Sequence, residues 1–286
     1  MVKTKEFTII NSKKKSPAGI DESKCYRSKR SGDATEKISQ ICSYDPDTHI
    51  VIYGGDGSVY EAVNAIMNAG AGQSAQLTIL PFGTGNDFVK SLPSDEHFEK
   101  KIDLIKFNDK YSANILNIGF DCDVVATTEK LKKLRLVKGS LAYAIGVVAT
   151  IFKKLGKRFD ITLTLEDGSV VHECGEHLLC LVANGKYYGG GFKSAPIAEL
   201  DDGLLDVVLV KKISRIRFIK FVGGYKKGLH ILPDGTINSK YASIAKFFRC
   251  TSLTFKDVGH VCADGEIIEC QDLEVSVVHK AINIVK

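Results

Sequence analysis

Two acids stand inside glycine-rich runs. Asp56 lies in Gly54-Gly55-Asp56-Gly57-Ser58, and Asp87 in Pro81-Phe82-Gly83-Thr84-Gly85-Asn86-Asp87-Phe88. Each run follows a short apolar segment, Ile50-Val51-Ile52-Tyr53 or Leu77-Thr78-Ile79-Leu80. Glycines at a strand-to-helix turn let the backbone come close to a ligand, and amides at a helix start attract phosphate. A bare phosphate cradle needs no acid, whereas a Mg-nucleotide site often does, since Mg²⁺ prefers hard oxygen ligands. Two acid-bearing loops of this kind point to phosphoryl transfer. Asp56 is the residue that a tight turn alone would not explain. Ser58 and Glu61 have the spacing of a capping box, as have Thr84 and Asp87. Near the C-terminus, Asp264-Gly265-Glu266 carries two carboxylates on a dipeptide that, taken alone, reads as an ordinary hairpin turn. Glu199-Leu200-Asp201-Asp202-Gly203-Leu204 is an acidic turn ahead of an apolar run.

The elements that must position these groups differ between the two parts of the chain. In the first third, strand patterns at residues 7–10, 50–53 and 77–80 alternate with helix patterns at 33–41 and 58–68. In the second helix Val59, Ala62, Val63, Ile66 and Met67 share one face. Such alternation implies a parallel sheet with helices on its faces and ligands at the carboxyl ends of the strands, where both glycine loops fall. From about residue 103, short strand-like runs recur at 111–118, 159–165, 177–184, 204–210, 252–255 and 273–279. Turn signals such as Glu166-Asp167-Gly168 separate them, so an antiparallel, sandwich-like domain is expected. This divides the chain into an α/β nucleotide-binding domain over residues 1–103 and a β-rich domain over 104–286, whose last residues are allowed to pack back on the first. Leu141, Ile145, Val148, Phe152 and Leu155 fall on one helical face, with Lys132 and Lys133 before it and Lys153 and Lys154 around its end. A core-facing stripe and a peripheral membrane contact both fit that pattern.

In the identity and order of its motifs the chain resembles the diacylglycerol kinase catalytic domain, in particular soluble bacterial lipid kinases related to sphingosine and ceramide kinases. The family's GGDG followed by Ser or Thr is matched at Gly54, Gly55, Asp56, Gly57 and Ser58, with Glu61 downstream. GTxNDF is matched at Gly83, Thr84, Gly85, Asn86, Asp87 and Phe88, and the late Asp-Gly-Glu at residues 264–266. The resemblance implies ATP and Mg²⁺ as cofactors, with Asp56 at the Mg-ATP and Thr84 and neighbouring amides at the phosphates. Asn86 and Asp87 would hold their loop in shape. Asp264 or Glu266 would be the base that takes the acceptor proton. A structural Mg²⁺ is implied at the acidic turn, held by Asp202 and the carbonyls of Glu199 and Leu204. Asp121 and Asp123 stand where sphingosine kinases place a head-group acid. On the nucleotide side the family's Asn-Pro survives only as Asn11, and Ser28 stands where the family has Thr, so weakened ATP binding is expected. The implied activity is ATP-dependent phosphorylation of a lipid hydroxyl, diacylglycerol to phosphatidic acid, with the lipid met at a membrane surface.

Composition narrows the alternatives. A net charge of +5 on 286 residues does not by itself argue for nucleic acid, and no nucleic-acid partner is expected. The N-terminal residues contain no apolar signal-peptide core, and the longest apolar stretch, 141–152, is too short to span a bilayer. A cytoplasmic protein, peripheral at the inner membrane surface, is the expectation, with a homodimer left open. Eight cysteines without CxxC pairs or metal spacing read as buried, reduced thiols. There is no Gly-x-x-x-x-Gly-Lys loop, so this is not a P-loop enzyme. The rival readings are a kinase of a soluble acceptor, such as an NAD kinase, whose family shares GGDG, and a non-catalytic lipid- or nucleotide-binding protein.

Overall fold

The computed structural model describes residues 5–10, 21–30, 32–95, 97–133 and 156–286. Asn11 and the apolar segment 141–155 lie outside these residues. The apolar runs of the first third form strands β1 (Glu6–Ile10), β2 (Cys25–Arg27), β3 (His49–Gly54) and β4 (Gln76–Pro81). They are parallel, in the spatial order β2-β1-β3-β4. Helices α1 (Asp33–Tyr44) and α2 (Asp56–Asn68) pack on them. Ile38, Ile41 and Cys42 of α1 and Val59, Ala62, Val63 and Ile66 of α2 share one core with Ile50, Ile52, Leu77 and Ile79. Strands that are apolar on both faces suit a covered parallel sheet. β3 ends at Gly54 and β4 at Pro81, so both glycine loops leave from the carboxyl edge.

The remaining elements are β5 (Glu99–Phe107), β6 (Lys110–Ser112), β7 (Ile115–Gly119), α3 (Phe120–Lys133), β8 (Lys157–Leu165) and β9 (Val170–Ala183). After them come β10 (Leu205–Lys211), α4 (Arg215–Lys226), β11 (Ala245–Phe255), β12 (Gly259–Ala263), β13 (Glu266–Cys270) and β14 (Leu273–Val285). All strand pairs within this group are antiparallel. β9 pairs with β8 along its first half and with β10 and β7 along its second, while β8 also pairs with β11. The sheet therefore folds over a second core containing Phe107, Phe159, Leu163, Val207, Leu253 and Phe255. The strand expected over 111–118 is interrupted at Ala113 and Asn114. The Asp264 carboxylate takes the amides of Ala113 and Ile115, so a side chain replaces a ladder partner there.

Two strands belong to both cores. Ile102 and Leu104 of β5 lie in the first core, and Ile105 and Phe107 in the second. Ala281, Ile282 and Ile284 of β14 likewise join the first, and Leu273 and Val275 the second. β5 and β14 pair antiparallel, with a register shift between Val278 and Ile282, and the end of β14 adds in parallel to β4. All eight cysteines are free thiols.

Candidate active site

The first glycine loop is shaped by close approach. A Cβ on Gly55 would lie 2.9 Å from the Cα of Gly83, so the two loops touch backbone to backbone only because both positions are glycine. α2 starts at Asp56, and its N-cap, Gly55, has no side chain with which to cap the first amides. The capping-box reading of Ser58 and Glu61 is thereby corrected. Ser58 sits in the first turn, its hydroxyl filling the space over Gly54, and Glu61 accepts the Gly32 N–H at 3.2 Å. Uncapped amides at a helix start form an anion site. Ser28, Ser58 and Glu61 meet in a separate hollow of about 10 Å³, room for roughly one water.

Asp56 accepts the Phe88 N–H at 3.1 Å. Burial raises its carboxyl above the ordinary range, the Phe88 amide opposes this, and the Asp87 charge adds to it. Asn86, in the left-handed region at φ 51°, accepts the Gly83 N–H at 2.9 Å and donates to the Gly83 carbonyl at 3.2 Å. Asp87 is 5% exposed. It accepts from Lys90 Nζ at 2.7 Å and from the Gly190 N–H at 2.7 Å, which ties the second loop to the glycine-rich segment of the β-rich domain. Thr84 is exposed on the same loop and borders the cleft. Like Ser58 it caps no helix, because a 3-10 turn, Val89–Ser91, follows.

The cleft has a volume of about 710 Å³. Asp56, Thr84, Gly85 and Asp87 line it from one domain, and Asp121, Tyr188, Lys226 and Asp264 from the other. Asp264 and Gly265 form the turn between β12 and β13, both with positive φ (48° and 94°), as a two-residue hairpin requires. The dipeptide is thus a hairpin turn and a wall of the cleft at once. Asp264 accepts the Ile115 N–H at 2.9 Å and the Ala113 N–H at 3.1 Å. Burial pushes its carboxyl up to about 7, against the pull of the Ile115 amide and with the Asp56 charge adding to it. Glu266 Oε1 lies 3.4 Å from where a side chain on Gly57 would begin, so it reaches the start of α2.

A metal fits one of the two expected places. The carboxylate of Asp56 beside uncapped amides offers the hard donors that a Mg-nucleotide takes. The acidic turn is different. Asp202 Oδ2 is paired with Arg249 Nη2 and Asp202 Oδ1 accepts the Leu204 N–H at 3.0 Å. Arg249 Nε lies 3.4 Å from Asp206, whose carboxyl burial pushes up to about 7. The carboxylate expected to join the carbonyls of Glu199 and Leu204 around Mg²⁺ is therefore already held by a guanidinium. This arrangement does not fit the ion.

The two acids expected at a lipid head group, Asp121 and Asp123, separate. Asp121 faces the cleft and accepts from the Tyr188 hydroxyl at 2.5 Å, and burial pushes it up to about 6. Asp123 instead meets Lys157 at 3.4 Å and His260 at 3.2 Å. Lys226 belongs to no local sequence pattern, and Tyr188 stands in the glycine-rich segment 184–191, to which the sequence assigns no chemistry. The glycines at 189–191 beside Tyr188 were the nearest signal.

Similarity to known proteins fixes the family and the fold. The family model for the diacylglycerol kinase catalytic domain matches residues 10–118, and that for the YegS C-terminal NAD kinase beta sandwich-like domain matches residues 114–286. A diacylglycerol kinase of Staphylococcus haemolyticus (strain JCSC1435) is 31% identical over 78% of this chain and 68% of its own length. A "Probable lipid kinase YegS-like" of Shewanella frigidimarina (strain NCIMB 400) is 33% identical over 58% of this chain, a match that spans 55% of that relative. A crystal structure of a diacylglycerol kinase from Bacillus anthracis str. Sterne superposes with a TM-score of 0.66 at 20% identity, covering 98% of this chain and 96% of that one. The chain belongs to the family of lipid kinases that joins a diacylglycerol kinase catalytic domain to a YegS-type C-terminal domain.

Proposed function

We propose that this member of the diacylglycerol kinase family transfers the γ-phosphoryl group of ATP to a lipid hydroxyl, that of diacylglycerol before others. The observation that carries the reading is the apposition, in one cleft, of two touching glycine loops with Asp56 and of the hairpin that bears Asp264 and Glu266. The uncapped amides of α2 and the second loop bind and orient nucleotide phosphates. When bound beside Asp56, Mg²⁺ would neutralise charge on those phosphates. Glu266, reaching the start of α2, accepts the hydroxyl proton as the acceptor oxygen attacks. Asp264 positions it, since each of its oxygens is engaged by a main-chain amide.

Incubation with labelled ATP and a panel of diacylglycerol, sphingosine, ceramide and NAD tests the proposal. Label in the diacylglycerol product is the expected result. Label in NAD alone would move the chain to soluble acceptors, and ATP binding with no transfer to any acceptor would make it a binding protein.

A further inference from the structure

We propose that α4 and the turn behind it are a docking surface for an anionic lipid bilayer at the mouth of the cleft, an inference that rests on the lipid acceptor proposed above. The inner face of α4, Phe218, Phe221 and Tyr225, is buried in a third apolar cluster. A surface helix ordinarily turns polar residues outward. Here Ile216 and Ile219 are 70% and 65% exposed, and Leu229 and Leu232, just beyond the helix, are 52% and 38% exposed. Of the seven exposed large apolar side chains among the described residues, four lie on this one segment, so the exposure is concentrated rather than scattered.

Charge selects the occupant. From Lys211 to Leu232 the chain carries Lys211, Lys212, Arg215, Arg217, Lys220, Lys226 and Lys227 and no acid. Lys212 pairs with Glu176, while Arg217, Lys220 and Lys227 form no ion pair with any described residue. Outward isoleucines among bases, on a segment that carries no acid, are the composition of a helix that lies in the plane of lipid head groups. Position agrees. Lys226, the last residue of α4, lines the cleft and sits 5.2 Å from the ring centre of Phe192, which lines it too. A bilayer seated on α4 would present a membrane-borne hydroxyl to the cleft without the acceptor leaving the lipid phase.

The test uses the whole chain and sedimentation with two kinds of vesicle, phosphatidylcholine alone and phosphatidylcholine mixed with phosphatidylglycerol. The parent should bind the mixed vesicles, with affinity falling as salt rises. Combined Arg217→Gln, Lys220→Gln and Lys227→Gln should weaken that binding roughly a hundredfold, from three lost surface charges. Combined Ile216→Ser and Ile219→Ser should weaken it at least about tenfold, from the lost apolar insertion. Both variants should phosphorylate a short-chain acceptor in detergent micelles at the parent rate. Equal vesicle binding by parent and variants, or no preference for the anionic vesicles, overturns the docking surface. Failure of the parent in micelles overturns the lipid-kinase reading instead, and the vesicle result still decides the docking surface.

Discussion

At the scale of single residues, burial gives similar carboxylates different work. Asp264 has both oxygens on main-chain amides, whereas Glu266 extends toward the start of α2. Glu266→Gln should therefore lower kcat by about 10² to 10⁴, the range for a lost general base, with KM for ATP little changed. Asp264→Asn should leave more activity and a lower melting temperature, because one amide loses its acceptor. The reverse order of the two rates would assign the base to Asp264. Asp56→Asn should cost at least about a hundredfold in transfer, the scale of one preorganised charge-stabilising group. Wild-type turnover in that variant would remove Asp56 from the chemistry. Stability carries a separate signature at Asp206. Its carboxyl is raised from an ordinary 3.8 to about 7 by burial, so the folded chain keeps a proton that the unfolded chain has released between those values. That favourable difference is complete below pH 4 and is lost as pH rises through about 7. The melting temperature of Asp206→Asn relative to the parent should thus climb between pH 4 and 7 and level off above. A difference that is flat with pH would contradict the buried, proton-retaining state.

At the scale of elements, the parts most readable from sequence are those whose local pattern and tertiary role coincide. The strands at 7–10, 50–53 and 77–80 and the helix that follows the first glycine loop are such parts, each apolar at the period its own geometry needs. α4 was invisible for the opposite reason: it is apolar on its inner face at Phe218 and Phe221 and on its outer face at Ile216 and Ile219, so no stripe stands out. The loops were legible as phosphate cradles, but not the contact of Gly55 with Gly83 that fixes their spacing, because it joins the ends of two different strands. The acidic turn shows a further limit. Its sequence matches a metal-holding pattern, and only the fold brings Arg249 of β11 onto Asp202. Added Mg²⁺ should accordingly leave the melting temperature of the parent unchanged when no nucleotide is present. Arg249→Gln should lower that temperature, and Mg²⁺ should then restore part of the loss. A Mg²⁺-dependent rise in the parent itself would return the ion to the turn.

At the scale of the whole molecule, the two domains are distinct in architecture but joined in their packing. β5 and β14 place side chains in both cores, and the end of β14 supplies a parallel strand to the nucleotide-binding sheet. The linker between ordinary domains carries few contacts and lets each core melt alone. Here, unfolding the first core would strip Ile282 and Ile284 from their burial and take Ile105 and Phe107 of the paired strand out of the second. Asp103, fully buried at the start of the shared stretch, reinforces the joint. It accepts the Gly203 N–H at 2.6 Å and the Lys280 N–H at 2.7 Å, and it lies 2.8 Å from His279 Nδ1. Across the cleft, Asp87 receives the Gly190 N–H. Scanning calorimetry of the full chain should therefore show one transition whose calorimetric and van't Hoff enthalpies agree. Asp103→Ala should lower its midpoint without splitting it, because the shared strands remain. Two resolved transitions in the parent, one shifted by nucleotide and one not, would mean that the cores are thermodynamically separate and that the cleft between them is free to open at the β5–β14 seam.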